Sequence, residues 1–143
     1  CGMELSEVKK MLQSQSGLLG LSGGVSNDLR DIMEAADNGN VDCQNALKAY
    51  AYGIKKYIGA YVAAMGGVDA IVFGGGIGRK GDRIRAMALE GLECFGVKLH
   101  EGKNMNPNGG DDISAEDSTV RIYVIDTNEE IIVARKAKAL LEA

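Results

Sequence analysis

The sequence predicts an α/β fold in which helices flank a small mixed sheet. Two apolar runs rich in β-branched residues, VDAIVF at 68–73 and TVRIYVI at 119–125, are typical of buried strands. A helical pattern follows each run, and a long amphipathic stretch precedes the first. At 143 residues and 45% hydrophobic content, the chain is long enough for one domain with a core and short for two.

The N-terminal part of the chain predicts helices joined by a glycine-rich loop. The segment LSEVKKMLQ predicts a short amphipathic helix with Ser6 as its cap, and the glycine- and serine-rich residues 16–26 predict a loop. Asn27 or Asp28 would cap a second helix, which runs to Ala36. A long helix over 41–65 follows from apolar residues spaced three and four apart, which predict one buried face. These residues are Leu47, Tyr50, Ala51, Ile54, Tyr57, Ile58, Tyr61, Val62 and Met65.

The C-terminal part predicts three strands that share one sheet, with the 41–65 helix packed on it. Between the two long strands we expect a helix over 82–95, a short strand VKL at 97–99 and a polar loop over 100–118. After the last strand, Thr127 or Asn128 would cap a helix that continues to the end of the sequence.

Composition argues against several classes of function. The net charge of −4 disfavours nucleic acid as the main partner, and no apolar run approaches a membrane span. With no basic-then-apolar leader either, we expect a cytoplasmic protein without a membrane partner. Three cysteines without CxxC spacing indicate neither a disulfide framework nor a zinc site. His100 is the only histidine and lies in a polar stretch, which leaves little support for Ser-His-Asp or Cys-His catalysis.

The segment DAIVFGGGIGRKGDRIR joins a strand to a helix through glycines. Such a junction lets a phosphorylated ligand approach the backbone, but the spacing is neither the dinucleotide GxGxxG nor the P-loop pattern. On spacing alone, a tight turn with no ligand is an equal interpretation. Arg79, Lys80, Arg83 and Arg85 crowd the start of the helix, where they form either a basic surface face or the surroundings of an anion.

Four segments in order resemble the C-terminal part of the acetate kinases: SGLLGLSGGVSNDLRDI, YIGAYVAAMGGVDAIVFGGGIG, IRAMALEGLECFGVKL and VIDTNEEIIVAR. The resemblance implies the actin-like and sugar-kinase (ribonuclease H-like) ATPase fold. It also implies reversible phosphoryl transfer from ATP to acetate with Mg²⁺, giving acetyl phosphate and ADP, in a homodimer joined through its C-terminal domains.

By this resemblance, three stretches face the nucleotide or its metal ion. They are the triplet Asp28, Leu29 and Arg30, the loop Gly76, Ile77, Gly78, Arg79 and Lys80, and the TNEE turn, in which Glu129 matches the family's Mg²⁺-linked glutamate. Arg85 matches an arginine of the family's loop-helix segment. The family loop normally continues Gly-Ile-Gly-Glu-Asn-Ser, so Arg79 and Lys80 replace an acid and an amide.

The resemblance also implies that the transition-state groups lie outside these 143 residues. We therefore expect residues 1–143 to be the C-terminal part of a second domain, without the N-terminal domain, and to contain no catalytic residue. As an isolated fragment it should be inactive. Two alternatives stay open: a relative that uses propionate or butyrate, and a non-catalytic module for nucleotide binding or dimerisation.

Overall fold

The computed structural model describes residues 2–108, 110–128 and 130–142, and the chain forms two compact units, one up to Tyr61 and the other from Val62 onward. The first unit is helical. Its elements are α1 (Leu5–Ser14), α2 (Gly17–Leu21), α3 (Leu29–Asp37) and the greater part of α4 (Val41–Met65).

The ends of the first helices differ in detail from the sequence prediction. Helix α1 begins at Leu5, two residues earlier than a Ser6 cap allows, because Glu4 and Glu7 form a reciprocal capping box at its start. The predicted loop over 16–26 contains the short helix α2. Helix α3 has the predicted cap, with Asp28 rather than Asn27 accepting a hydrogen bond from the Arg30 backbone N–H.

Helix α4 has the predicted bounds, but only part of its predicted face is buried. Leu47, Ala51 and Val62 are buried, whereas Tyr57, Tyr61 and Met65 are each more than 60% exposed. The periodicity correctly predicted a helix with an apolar face. It could not show that Tyr57, Tyr61 and Met65 of that face are exposed while Val62 between them is buried.

The second unit is built on a three-stranded mixed sheet in the order β1-β3-β2. Its elements are β1 (Ala70–Phe73), α5 (Gly75–Lys80), α6 (Asp82–Leu89), a 3₁₀ turn (Glu93–Phe95), α7 (Glu101–Met105), β2 (Asp111–Asp112), β3 (Arg121–Val124) and α8 (Glu130–Leu141). Strand β1 pairs parallel to β3 in a register that aligns Ala70 with Arg121. Strand β2 pairs antiparallel to β3 on its other side.

The core of this unit lies beside the central strand. Ile122 and Val124 of β3 are fully buried, together with Ile113 and Val97. Helix α8 contains no buried residue among those described. None of the described helices has the length and apolar character needed to cross a bilayer.

The small mixed α/β sheet is confirmed, but β1 is not the buried strand that VDAIVF predicted, because none of its four residues is buried and Val72 is 55% exposed. Three other local predictions are wrong. The VKL segment is not a strand: Val97 and Leu99 form single bridges to Val120 and Ser114. The predicted polar loop over 100–118 contains α7 and β2. The predicted helix over 82–95 is interrupted, because α6 ends at Leu89 and Gly91 adopts a left-handed φ of 76°.

Candidate functional site

The candidate site lies where two parallel strands end. Strands β1 and β3 point the same way, so Gly74, after β1, and Ile125, after β3, leave the sheet at the same edge. In open α/β sheets, the carboxyl ends of parallel strands are the usual place for a ligand. The two exits are joined by hydrogen bonds: the Ile125 N–H donates to the Phe73 carbonyl at 2.9 Å, and the Gly75 N–H donates to Thr127 Oγ1 at 3.1 Å.

The predicted glycine loop is a short helix. Residues Gly75–Lys80 form α5, so the five residues predicted to face a nucleotide, from Gly76 to Lys80, lie on a helical segment. The backbone favours glycine at two points. Gly75 has a φ of 69°, and a Cβ at Gly78 would lie 3.1 Å from the Phe73 carbonyl carbon. The glycines therefore let α5 pack directly against the end of β1.

Arg79 anchors the end of α5 to the exit of β3. Its Nε donates to Asp126 Oδ1 at 2.6 Å, and its Nη1 donates to the carbonyl of Pro107. The Arg79 side chain is 31% exposed and that of Asp126 is 64% exposed. Its cationic head therefore has a carboxylate and a carbonyl as partners within the protein. The neighbouring Lys80 is exposed.

Arg85 is buried beneath the same segment. Its side chain is 1% exposed, and its Nη1 donates to the carbonyls of Gly78, at 2.6 Å, and of Arg79, at 3.0 Å. Nε and Nη2 donate to Asn104 of α7, at 2.7 Å to Oδ1 and 2.5 Å to the backbone carbonyl. Burial lowers the pKa of Arg85, with Asp82 opposing the shift and Arg79 adding to it. Of the two interpretations that the sequence left open, the one that places Arg85 on a basic surface face is wrong for this residue.

The triplet Asp28, Leu29 and Arg30 lies in the first unit, at the start of α3. Asp28 caps the helix and also accepts from the Arg30 guanidinium, at 3.0 Å from Nε and 2.6 Å from Nη2. These hydrogen bonds from the Arg30 side chain and backbone lower the pKa of Asp28 to about 2. The Leu29 side chain is buried in the core, while that of Arg30 is 88% exposed and accessible to a ligand.

The metal prediction falls on a residue that the structure does not describe. Glu129 lies outside the described residues, between Asn128 and the start of α8. Asn128 Oδ1 accepts from the Ile131 N–H at 3.1 Å, so Asn128 serves the first turn of the helix as predicted, whereas Thr127 bonds to Gly75 instead. Among the described residues, no group of three or more acidic, histidine or cysteine side chains could hold a metal ion.

Comparison with known proteins decides the family. A family model for the acetokinase family matches residues 1–135. The chain belongs to the acetokinase family. It is 44% identical over 140 residues to the acetate kinase of Natranaerobius thermophilus, covering 98% of this chain and 35% of that protein. It is 46% identical over 136 residues to the acetate kinase of Methanosarcina barkeri, covering 95% and 33%.

Solved structures of acetokinase-family members agree with this assignment. The acetate kinase of Porphyromonas gingivalis matches with a TM-score of 0.85 and 38% identity, over 98% of this chain and 35% of that one. A propionate kinase from Francisella tularensis matches with a TM-score of 0.82 and 33% identity, over 94% and 34%. The predicted actin-like ATPase fold is confirmed by this likeness. The chain spans about a third of the length of the relatives that it matches.

Sequence reasoning missed Asn104, and it named Arg85 without predicting that this side chain is buried. Asn104 lies in a stretch predicted to be loop, and no pattern distinguishes it from the polar residues around it. The burial of Arg85 left a signal: Ala88 and Leu89 follow it at spacings of three and four, which places the arginine on the apolar face of α6.

Proposed function

We propose that this chain is part of an acetate kinase, which transfers a phosphoryl group reversibly between ATP and acetate to give ADP and acetyl phosphate. The match of the acetokinase family model to residues 1–135 carries the proposal. The supporting geometry is a glycine-rich segment held at the carboxyl ends of two parallel strands. The substrates remain part of the proposal because the chain spans a third of its relatives.

Within that enzyme, we propose that this chain contributes to the nucleotide site and not to the reacting centre. The backbone of Gly76–Lys80 would contact the nucleotide. We propose Arg30 as a second contact, because its guanidinium stays 88% exposed although it also pairs with Asp28. The Arg79 head is engaged by Asp126 and Pro107, so we assign Arg79 a backbone contact only. The groups that neutralise the transferring phosphoryl would come from the rest of the enzyme. We accordingly assign residues 1–143 to the C-terminal part of its second domain, inactive alone.

A magnesium ion fits the donor types near Glu129. The neighbouring Asp126, Thr127 and Asn128 carry oxygen, the ligand atom that Mg²⁺ prefers. One carboxylate would hold the ion, and nucleotide phosphates and water would complete its shell. Bound there, Mg²⁺ would neutralise charge on the phosphates. We propose Glu129 as that carboxylate.

The proposal extends to assembly and location. We propose a homodimer from the resemblance to the family and a cytoplasmic location from the composition of the sequence. The exposed side chains of Tyr52, Tyr57 and Tyr61 on α4 support a subunit contact, because large aromatic side chains are enriched at such interfaces.

One assay tests the proposal and its nearest alternative. The full-length enzyme that contains this chain is incubated with ATP, Mg²⁺ and acetate, propionate or butyrate, and acyl phosphate is measured as its hydroxamate. We expect acetate to give the highest kcat/KM. Preference for propionate would favour the second candidate, which the likeness to the Francisella tularensis propionate kinase supports. ATP binding without turnover on any of the three acids would indicate the non-catalytic module.

A further inference from the structure

A buried cation lies beneath the segment that we assign to the nucleotide. Arg85 is the largest fully buried side chain among those described, and its guanidinium donates to four neutral oxygens: the carbonyls of Gly78 and Arg79, and the side-chain and backbone oxygens of Asn104. Burying a charge is costly unless hydrogen bonds compensate it. The free-energy cost of burying this charge indicates that the hydrogen bonds of Arg85 have a specific role.

The geometry shows which element the guanidinium serves. The last carbonyls of a helix have no partner within it. The carbonyls of Gly78 and Arg79 belong to the C-terminal end of α5, and Arg85 donates to both. A cation at that end also complements the helix dipole. Arg85 thus donates hydrogen bonds to two carbonyls at the C-terminal end of α5.

The same guanidinium ties α5 to two neighbouring helices. Arg85 belongs to α6, and Asn104, which receives two of its hydrogen bonds, belongs to α7. Asn104 Nδ2 in turn donates to the Asp82 carbonyl at 2.9 Å, at the start of α6. Because the guanidinium is a rigid planar group, its donors cannot move independently, and its distances to the four oxygens are coupled.

We propose that Arg85 is a positioning residue for nucleotide binding. It contacts no ligand itself, and it fixes α5 so that the backbone of Gly76–Lys80 meets the nucleotide. This inference rests on the proposed function, because it takes α5 as part of the nucleotide site. Lysine cannot replace arginine in this role, since an ammonium group is a point donor and cannot reach carbonyls of α5 and both oxygens of Asn104 at once.

The test is Arg85→Lys in the full-length enzyme, with KM and kcat measured separately for ATP and acetate. We expect the KM for ATP to rise about tenfold, equivalent to ~1.4 kcal/mol. The kcat and the KM for acetate should change by less than about twofold, because binding common to ground and transition states affects KM alone. Asn104→Ala, which keeps the arginine and removes one partner, should act in the same direction. Arg121→Lys is the matched control and should leave all constants unchanged, because Arg121 is exposed and pairs only with the half-buried Asp112 among the ion pairs described.

The alternatives give different results. If Arg85 only stabilises the fold, Arg85→Lys lowers the folded fraction, so the apparent kcat falls while the KM for ATP stays constant, and the inference is overturned. Unchanged constants overturn it equally. If Arg85→Lys is insoluble, Asn104→Ala is judged by the same criteria. If the wild-type enzyme forms no acyl phosphate, the proposed function fails. Calorimetric ATP affinities of the wild type and the variants then decide the positioning role alone.

Discussion

The ion pair between Arg79 and Asp126 should hold the end of α5 to the exit of β3. The perturbation is a double-mutant cycle with Arg79→Gln, Asp126→Asn and the two combined. Each change removes one charge and keeps the approximate shape of the side chain. The cycle isolates the pair because Arg79 also donates to the Pro107 carbonyl, a contact that Asp126→Asn leaves intact.

The structure sets the expected magnitudes. Exposed ion pairs contribute about 0.2–1 kcal/mol, and the part-buried Arg79 favours the upper half of that range. The hydrogen bond to Pro107 adds about 1 kcal/mol. Arg79→Gln should therefore cost about 1–2 kcal/mol, and Asp126→Asn about 0.5–1 kcal/mol. The coupling energy between the two substitutions should be about 0.5–1 kcal/mol.

Amide hydrogen exchange of α5 is the appropriate assay, because it reports local opening in the full-length enzyme. The Gly81 N–H, which donates to the Ile77 carbonyl, marks the last turn of the helix. Arg79→Gln should accelerate its exchange about 5–30-fold, and Asp126→Asn about 2–5-fold. Lys98→Gln, which breaks the separate pair with Asp117, should not affect it. A coupling energy within about 0.2 kcal/mol of zero at low salt would refute the anchoring role.

Three further predictions concern the other proposed site residues. The free energy of unfolding should fall as the pH drops from about 4 to 2, because the pKa of Asp28 is about 2 in the folded protein against an ordinary 3.8. Urea titrations across this pH range should show a smaller fall for Asp28→Asn. Glu129→Gln should lower kcat and raise the Mg²⁺ concentration needed for half-maximal activity, whereas the control Glu130→Gln should cost little; equal effects would contradict the metal assignment. The double change Arg79→Glu with Lys80→Asn should alter the KM for ATP by less than about tenfold, with kcat nearly unchanged in steady-state assays, and a large loss of kcat would contradict the placement of α5 away from the reacting phosphates.

The sequence predicted the elements whose patterns are strong. The runs that became β1 and β3 are short, apolar and β-branched, and the sheet buries Ile122 and Val124 as expected. The bounds of α4 follow from its periodicity and the glycines after it. In each case local pattern and tertiary packing favour the same structure.

Helix α5 shows why other elements could not be predicted. Three of its six residues are glycine, each about 1 kcal/mol less favourable in a helix than alanine, so local propensity predicts a loop. Contacts distant in sequence stabilise it: Thr127 bonds to Gly75 at its start, and Arg85 binds its last carbonyls. Such contacts appear only once the fold brings the segments together. Sequence therefore located the segment but not its conformation.

Arg79 and Lys80 replace the acid and the amide that the family loop normally has. The structure explains the first of these replacements, Arg79. At position 79, the strand exit supplies a carboxylate, Asp126, so the arginine has a partner within the protein. The Arg79 side chain therefore ties the end of α5 to the exit of β3. Under the proposed function, the nucleotide would contact the backbone of α5, whose last residues are held by the hydrogen bonds of Arg79 and Arg85. A segment of this kind can then change the charge of a half-buried side chain and keep its conformation, provided that the new charge finds a partner, as Arg79 does, and the glycines against β1 remain.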